Sequence, residues 1–211
     1  MKVICIGRNY VDHAKELNNP VPSSPLIFMK PQTALLTDNA AFLIPSFSSD
    51  VHFETELVLR FGNSFKNCVE SEAMDMVDAM SLGIDFTARD LQAHLKKKGH
   101  PWEKAKAFDG SAAVGKFVPV SDAVRKGTEE FVMDLNGEER QHGKTSDLIF
   151  PIPMLIGYLS TYFTIEKGDL LFTGTPAGVG PVSTGDRLEA WLGTEAKSRH
   201  PEHKIFDFEI Q

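Results

Sequence analysis

Glu54 and Glu56 stand two residues apart in the run Val51-His52-Phe53-Glu54-Thr55-Glu56-Leu57-Val58-Leu59-Arg60-Phe61. The run alternates as a strand does. Val51, Phe53, Thr55, Leu57, Leu59 and Phe61 share one face, and His52, Glu54, Glu56, Val58 and Arg60 share the other. Two carboxylates on one side of a strand, about 6–7 Å apart at the backbone, repel and raise each other's pKa unless a cation lies between them. A hard divalent ion, Mg2+ or Mn2+, would hold both ionised. By alternation alone the pair reads more simply as a solvated strand face with Arg60 as neutraliser.

Asp85, in Gly83-Ile84-Asp85-Phe86-Thr87, falls between the end of one predicted helix and the start of the next. A turn or cap role suits an Asp there. Its apolar neighbours Leu82, Ile84 and Phe86 point instead to a buried connection, where a carboxylate needs a partner. Beside Glu54 and Glu56 it would complete a protein half-shell for an octahedral cation, leaving positions for water or substrate. His13 and Glu16, spaced i, i+3 on a short predicted helix, face the same way. A carboxylate that orients an imidazole and raises its basicity makes a water-activating dyad, while an exposed helical pair without a role has the same spacing. Lys106 lies in the aromatic-flanked run 101–110 and could meet a substrate carboxylate or a developing enolate. Lys104 would share its face on a strand, which leaves a solvated edge open as the other reading. The glycine-rich run 173–181 could offer backbone N–H groups and the Thr175 hydroxyl to an anion, or be a tight turn. It lacks the Gly-Lys-Ser/Thr of a P-loop and the spacing of a dinucleotide turn. With no G-x-S-x-G and no zinc spacing of His and Cys, covalent catalysis is disfavoured.

The elements that must hold these groups are short. Val3 to Ile6 predicts a strand, and Asn9 predicts the N-cap of a helix running to about Leu17 and stopping before Asn18-Asn19-Pro20. Leu26 to Lys30 predicts a strand. Ala73, Met76, Val77 and Met80 have helical spacing, which predicts a helix over 70–82 ended by Gly83. Thr87 as N-cap with Asp90 at N3 predicts the next helix, to Lys98, with Lys96, Lys97 and Lys98 in its last turn. Residues 130–135 and 138–141 predict a hairpin about Asn136-Gly137, residues 153–163 a helix and 169–173 a strand. Sixteen Gly and 12 Pro break the chain into short pieces. The expected class is therefore α+β, β-rich and mostly antiparallel, in a single domain over 1–211, rather than a doubly wound sheet.

The chain has 211 residues and a net charge of −7, which argues against a general nucleic-acid binder. Its longest charge-free apolar stretch, Phe150 to Ile165, contains two prolines and falls short of the ~20 residues that span a bilayer. No signal peptide is visible, and two cysteines give no disulfide framework, so a reducing cytoplasm is expected.

Taken in order, Gly7-Arg8-Asn9-Tyr10-Val11-Asp12-His13, Phe28-Met29-Lys30-Pro31, Glu54-Thr55-Glu56-Leu57, 83–92, 102–110, Asn136-Gly137-Glu138 and 168–180 resemble the fumarylacetoacetate hydrolase family, in its compact acylpyruvase and oxaloacetate decarboxylase/tautomerase branch. The resemblance covers Val3 to about Lys204. It implies a mixed β-sandwich roll, a homodimer and a Mg2+ or Mn2+ site. It makes Glu54, Glu56 and Asp85 the metal ligands, and His13 and Glu16 a catalytic pair on a lid over 8–20. It has Lys106 assist at the dioxo group, and Arg8, Arg89, Gln92 and Thr175 contact a small 2-oxo acid. The missing extra N-terminal domain of the larger fumarylacetoacetase and the missing mitochondrial leader point to a bacterial-type cytoplasmic enzyme. The implied activity is metal-dependent cleavage of the C–C bond of acylpyruvates through a pyruvate enolate. Oxaloacetate decarboxylation or tautomerisation is expected in the same site. A dienedioate isomerase or decarboxylase of aromatic degradation on the same fold is the alternative enzyme. The non-enzyme alternative is a binding module in which the three carboxylates hold a structural Ca2+.

Overall fold

The structure, a computed structural model, describes residues 1–17, 19–193 and 195–211. In chain order the elements are β1 (Val3–Gly7), α1 (Val11–Glu16), β2 (Leu26–Lys30), β3 (Leu35–Leu36), β4 (Val51–Phe53), β5 (Thr55–Phe61), β6 (Val77–Asp85) and β7 (Thr87–Ala88). Then come α2 (Arg89–Lys98), α3 (Glu103–Lys106), β8 (Ala112–Val114), β9 (Val118–Pro119), α4 (Asp122–Arg125), β10 (Glu130–Leu135) and β11 (Glu138–Lys144). The last are α5 (Ile152–Tyr162), β12 (Leu170–Phe172), β13 (Gly180–Pro181), β14 (Arg187–Leu192) and β15 (Lys204–Glu209).

The largest sheet runs β2-β1-β12-β5-β6-β8-β3, with β9 also paired to β6. A second sheet runs β11-β10-β14-β15 and a third β13-β4-β7. The pairs β1–β12 and β3–β8 are parallel; the other strand pairs are antiparallel. The β-rich α+β expectation is met. A small apolar cluster (Val3, Cys5, Val58, Ala112, Val114, Leu170, Phe172) packs on one face of the large sheet, and the main core fills the other and the space to the second sheet. Among the described residues no helix is long and apolar enough to cross a membrane.

The expected 70–82 helix is overturned. Residues 70–76 form a short 3-10 turn and Val77–Asp85 is a strand. Ala73, Met76, Val77 and Met80 fit helical spacing because β6 lies between β5 and β8 and is buried on both faces except at Asp78. A strand covered on both sides shows no alternation, so spacing alone does not separate it from a helix. Gly83 is not a helix stop but a point of close packing. A Cβ there would lie 2.7 Å from the Ala113 carbonyl oxygen and 2.9 Å from both Phe172 and Val58. Asp85 therefore sits at the end of a strand, not between two helices.

Other boundaries shift for local reasons. The 51–61 run is broken at Glu54 into β4 and β5, which join different sheets. Arg60 pairs with Asp78 at the surface and neutralises neither glutamate. Helix α1 starts after Tyr10, and Asn9 is a buried bridge rather than a cap. Asn18, which the sequence places at the helix stop, lies outside the described residues. Helix α2 follows Ala88; the Thr87 hydroxyl turns back to the Asp85 carbonyl, and Asp90 accepts from Ser48 Oγ and the Ser49 N–H. Lys106 ends a one-turn helix, so Lys104 does not share its face: Lys106 is buried and Lys104 exposed. The 3–7, 26–30, 130–144, 152–162 and 170–172 elements agree with the sequence reading to within a few residues.

Candidate active site

The β5–β6 register assembles the acidic cluster. Thr55 faces Ile84 and Glu56 faces Gly83, so the next pair outward is Glu54 and Asp85, and the Asp85 N–H donates to the Glu54 carbonyl at 2.8 Å. Opposed residues of an antiparallel pair point to one side. Glu54, Glu56 and Asp85 thus converge, each with an oxygen within 4.8 Å of the others, and all three are buried.

Three cations meet them. Lys106 Nζ lies 2.8 Å from Glu54 Oε2 and 2.5 Å from Asp85 Oδ2. Arg89 Nη2 donates to Glu54 Oε1 at 2.5 Å, while Nη1 reaches Gln92 Oε1 at 2.9 Å. Lys30, buried at the end of β2, donates to the Lys106 and Ser111 carbonyls and brings its ammonium to 2.7 Å from Asp85 Oδ1. That last contact lacks hydrogen-bond geometry, and Asp85 Oδ1 makes no hydrogen bond. Burial works against the Glu54 charge, but Lys106 and Arg89 more than offset it and hold its pKa well below the ordinary range. Burial also opposes the Lys106 charge, and Asp85 and Glu54 overcome it, raising its pKa. Burial and the nearby Asp85 charge push Glu56 well above its ordinary value, against one hydrogen bond from the Gly174 N–H at 2.6 Å.

This donor set fits a hard divalent cation. Three carboxylates converge, one buried oxygen lacks a hydrogen bond, and Glu56 is crowded by Asp85 in the way a cation between them would relieve. Glu54, Glu56 and Asp85 would hold Mg2+ or Mn2+, in competition with the Lys106 ammonium.

Helix α1 closes one side. His13 is buried, with Nδ1 3.5 Å from Glu16 Oε2 and without a hydrogen bond. Burial lowers its pKa, while Glu54 and Glu16 pull it upward, so the neutral imidazole is favoured. The Glu16 carboxylate accepts the Gly178 N–H at 3.1 and 3.3 Å, which ties α1 to the glycine-rich loop. The surface-pair reading fails because His13 is buried, although Glu16 stays exposed, and the solvated-edge reading of Lys106 fails because Lys106 is buried. The loop itself is positioned by two residues that sequence reasoning missed. Asn9 Nδ2 donates to the Thr173 and Phe150 carbonyls and its Oδ1 accepts from the Phe150 N–H. Gly174, at φ +106°, passes so close that a Cβ would lie 2.6 Å from Asn9 Cβ. Gln141 Nε2 donates to Thr175 Oγ1 at 2.7 Å and the Pro176 carbonyl at 2.9 Å, and its Oε1 accepts from the Thr55 N–H. Thr175 thus sits next to the Glu56–Gly174 contact. Lys30 was also missed as a site group; a lysine closing an apolar strand before a proline was the available signal.

Arg8, His13, Glu54, Arg89, Gln92 and Lys106 line one cavity of about 30 Å³. That holds a water or two at the roughly 10–15 Å³ each requires, and no organic acid. Glu16, Glu56, Asp85 and Thr175 do not line it. The ten residues expected at the site thus gather in one region, six lining the cavity and four beside it.

A family model described as fumarylacetoacetate (FAA) hydrolase C-terminal matches residues 2–201. Mitochondrial oxaloacetate tautomerase FAHD1 of Bos taurus is 40% identical over 205 residues, covering 95% of this chain and 93% of the relative. Oxaloacetate tautomerase YcgM of Escherichia coli is 41% identical over 188 residues, covering 89% and 86%. Fumarylpyruvate hydrolase from Pseudomonas aeruginosa, solved in complex with Mn2+ and pyruvate, superposes with a TM-score of 0.87 at 33% identity, covering 100% of this chain and 88% of that one. With its fold, its acidic cluster and these relatives in agreement, the chain belongs to the fumarylacetoacetate hydrolase family.

Proposed function

We propose that this protein is a divalent-metal-dependent enzyme that makes and protonates the enolate of 2-oxo acids. Its reactions are the tautomerisation or decarboxylation of oxaloacetate and the cleavage of the C–C bond of acylpyruvates. The observation that carries the reading is the convergence of Glu54, Glu56 and Asp85 beside Lys106 and a buried neutral His13. Oxaloacetate tautomerase relatives at 40–41% identity and a fumarylpyruvate hydrolase at 33% support the substrate class.

A bound Mg2+ or Mn2+ supplies Lewis acidity that draws electrons from a 2-oxo group and its neighbouring carboxylate. The protein's own groups do the rest. Lys106 donates a hydrogen bond to the oxygen on which negative charge grows, and Gln92, Arg89 and Thr175 fix the acid's orientation. In tautomerisation His13 takes a proton from the carbon next to the 2-oxo group and the enolate oxygen is protonated in turn. In hydrolysis His13 takes a proton from water as the oxygen attacks the distal carbonyl, and the C–C bond breaks with its electron pair leaving on the pyruvate side. In decarboxylation the same electron pair is left by departing CO2 and no water is consumed. Glu16 orients and polarises His13, and its hold on Gly178 keeps α1 closed. The cavity beneath α1 is small in this arrangement, and movement of α1 would enlarge it for substrate. A homodimer is part of the same reading.

The test is a side-by-side assay of enol-oxaloacetate, acetylpyruvate, fumarylpyruvate and a hydroxymuconate-type dienoate with Mn2+ and with EDTA. Turnover of the first three that vanishes with EDTA and in Glu16→Ala supports the proposal. Turnover that survives chelation, or activity on the dienoate alone, overturns it.

A further inference from the structure

The same cavity holds two further cations. Lys96, in the last turn of α2, and Arg8, just before α1, are both partly buried there, and neither forms a salt bridge among the described residues. Glu54 is the single carboxylate lining the cavity, and both its oxygens are already taken by Arg89 and Lys106. Lys96 is one of three consecutive lysines, yet Lys97 and Lys98 are exposed while Lys96 alone turns inward, its ammonium 5.7 Å from the centre of the Trp102 ring. Such a cation–π seat fixes the head group without neutralising it. Burial, then repulsion from Arg8 and Arg89, lowers the Lys96 pKa against a weaker upward pull from Glu54, and burial lowers that of Arg8. Two cations held together against burial and mutual repulsion are stabilised when an anion lies between them.

On the proposed reading the reacting carboxylate and oxo group belong at the acidic cluster. The anion that faces Lys96 and Arg8 is then the other end of the substrate. We propose that Lys96 and Arg8 form a subsite for the second carboxylate of a 2-oxo dicarboxylic acid, so that the enzyme selects dianionic over monoanionic substrates. Arg8, at φ +58°, sits where the chain turns into α1 and lines the same cavity as Lys96. The inference rests on the 2-oxo acid reading, but its test does not require turnover.

Malate and lactate are unreactive stand-ins that differ by one carboxylate. Their affinities for the Mn2+-loaded protein are measured by calorimetry, with thermal melting to verify folding. The wild type is expected to bind malate at least about tenfold more tightly than lactate, an ordinary contribution for a charge-assisted pair. Lys96→Met, which keeps the stem on Trp102, should bring that ratio to within about threefold, and Lys96→Arg should restore it. With oxaloacetate, Lys96→Met should raise KM far more than it lowers kcat. A wild type without preference for malate, or a ratio unchanged in Lys96→Met, overturns the subsite. Lack of oxaloacetate turnover in the wild type would end the proposed reaction, while the malate-to-lactate ratio still decides the role of Lys96.

Discussion

Replacing Lys106 with Met should separate the two roles of its ammonium, as substrate contact and as a stand-in for the divalent ion. The ammonium lies 2.8 Å from Glu54 and 2.5 Å from Asp85, with both partners buried. Removing one partner of a buried ion pair costs about 3–5 kcal/mol. Arg89 and Lys30 still face the other oxygens of Glu54 and Asp85, which favours the lower end, about 3 kcal/mol. For a chain of this size that is a fall of about 6–12 °C in melting temperature. Bound Mn2+ supplies the lost positive charge, so the gap should close when the metal is saturating. The ion also no longer competes with an ammonium, and its affinity should rise about tenfold, or ~1.4 kcal/mol. The sign with pH follows from Glu54. Burial opposes its charge, but Lys106 and Arg89 hold its folded pKa below the ordinary value. Its contribution is therefore complete above the ordinary carboxylate range and is lost as pH falls through the lowered value. The gap between variant and wild type should be full at neutral pH and shrink on strong acidification. Melting curves with and without EDTA, and Mn2+ titration by calorimetry, measure each term. A metal-free Lys106→Met protein as stable as wild type, or one that binds Mn2+ more weakly, would refute the reasoning.

Glu54→Gln should weaken Mn2+ binding by at least about a hundredfold, since it removes one of three charged oxygen donors; an unchanged titration removes Glu54 from the ligand set. Gln141→Leu leaves the Thr55 N–H and the Pro176 carbonyl without partners, at about 1–3 kcal/mol each. It should lower the melting temperature and raise KM as Thr175 loses its seat, and a variant that melts like wild type would show that the bridge contributes nothing. Burial, against Glu54 and Glu16, keeps His13 below the ordinary imidazole range, so kcat/KM should fall only on the acid side of that range. Glu16→Gln removes an upward pull and should move this acid limb to lower pH; a shift to higher pH contradicts the assignment of His13 as base.

What could be read from the chain alone was chemistry at short spacing. Glu54 with Glu56 and His13 with Glu16 are pairs whose geometry follows from a strand or a helix by itself, and in both cases the element was read correctly where it mattered. The burial of Glu54, Glu56 and His13 was not legible, because it depends on what packs over them: β6 and β12 on either side of β5, and the glycine-rich loop against α1. Asn9, Lys30 and Gln141 were not read as site residues because each bonds partners at least 34 positions away, and a lone polar residue carries no local sign of such a partner.

Asp85 shows the limit most sharply. With residues 70–82 read as a helix, it belonged to a linker, and nothing in the spacing tied it to Glu54 thirty-one positions earlier; the three-carboxylate half-shell was a chemical possibility until the family resemblance made it the expected ligand set. Once Val77–Asp85 is a strand paired with β5, the outcome is forced. Glu56 opposite Gly83 puts Glu54 opposite Asp85, and the period of two turns all of them to one side. Gly83 is what permits this register, because any side chain there would strike Ala113, Phe172 and Val58. A Gly83→Ala variant should therefore disturb the metal site through β6 rather than through any ligand, weakening Mn2+ binding while Glu54, Glu56 and Asp85 are all intact. If it bound Mn2+ as wild type does, the register would not be what holds the three carboxylates together.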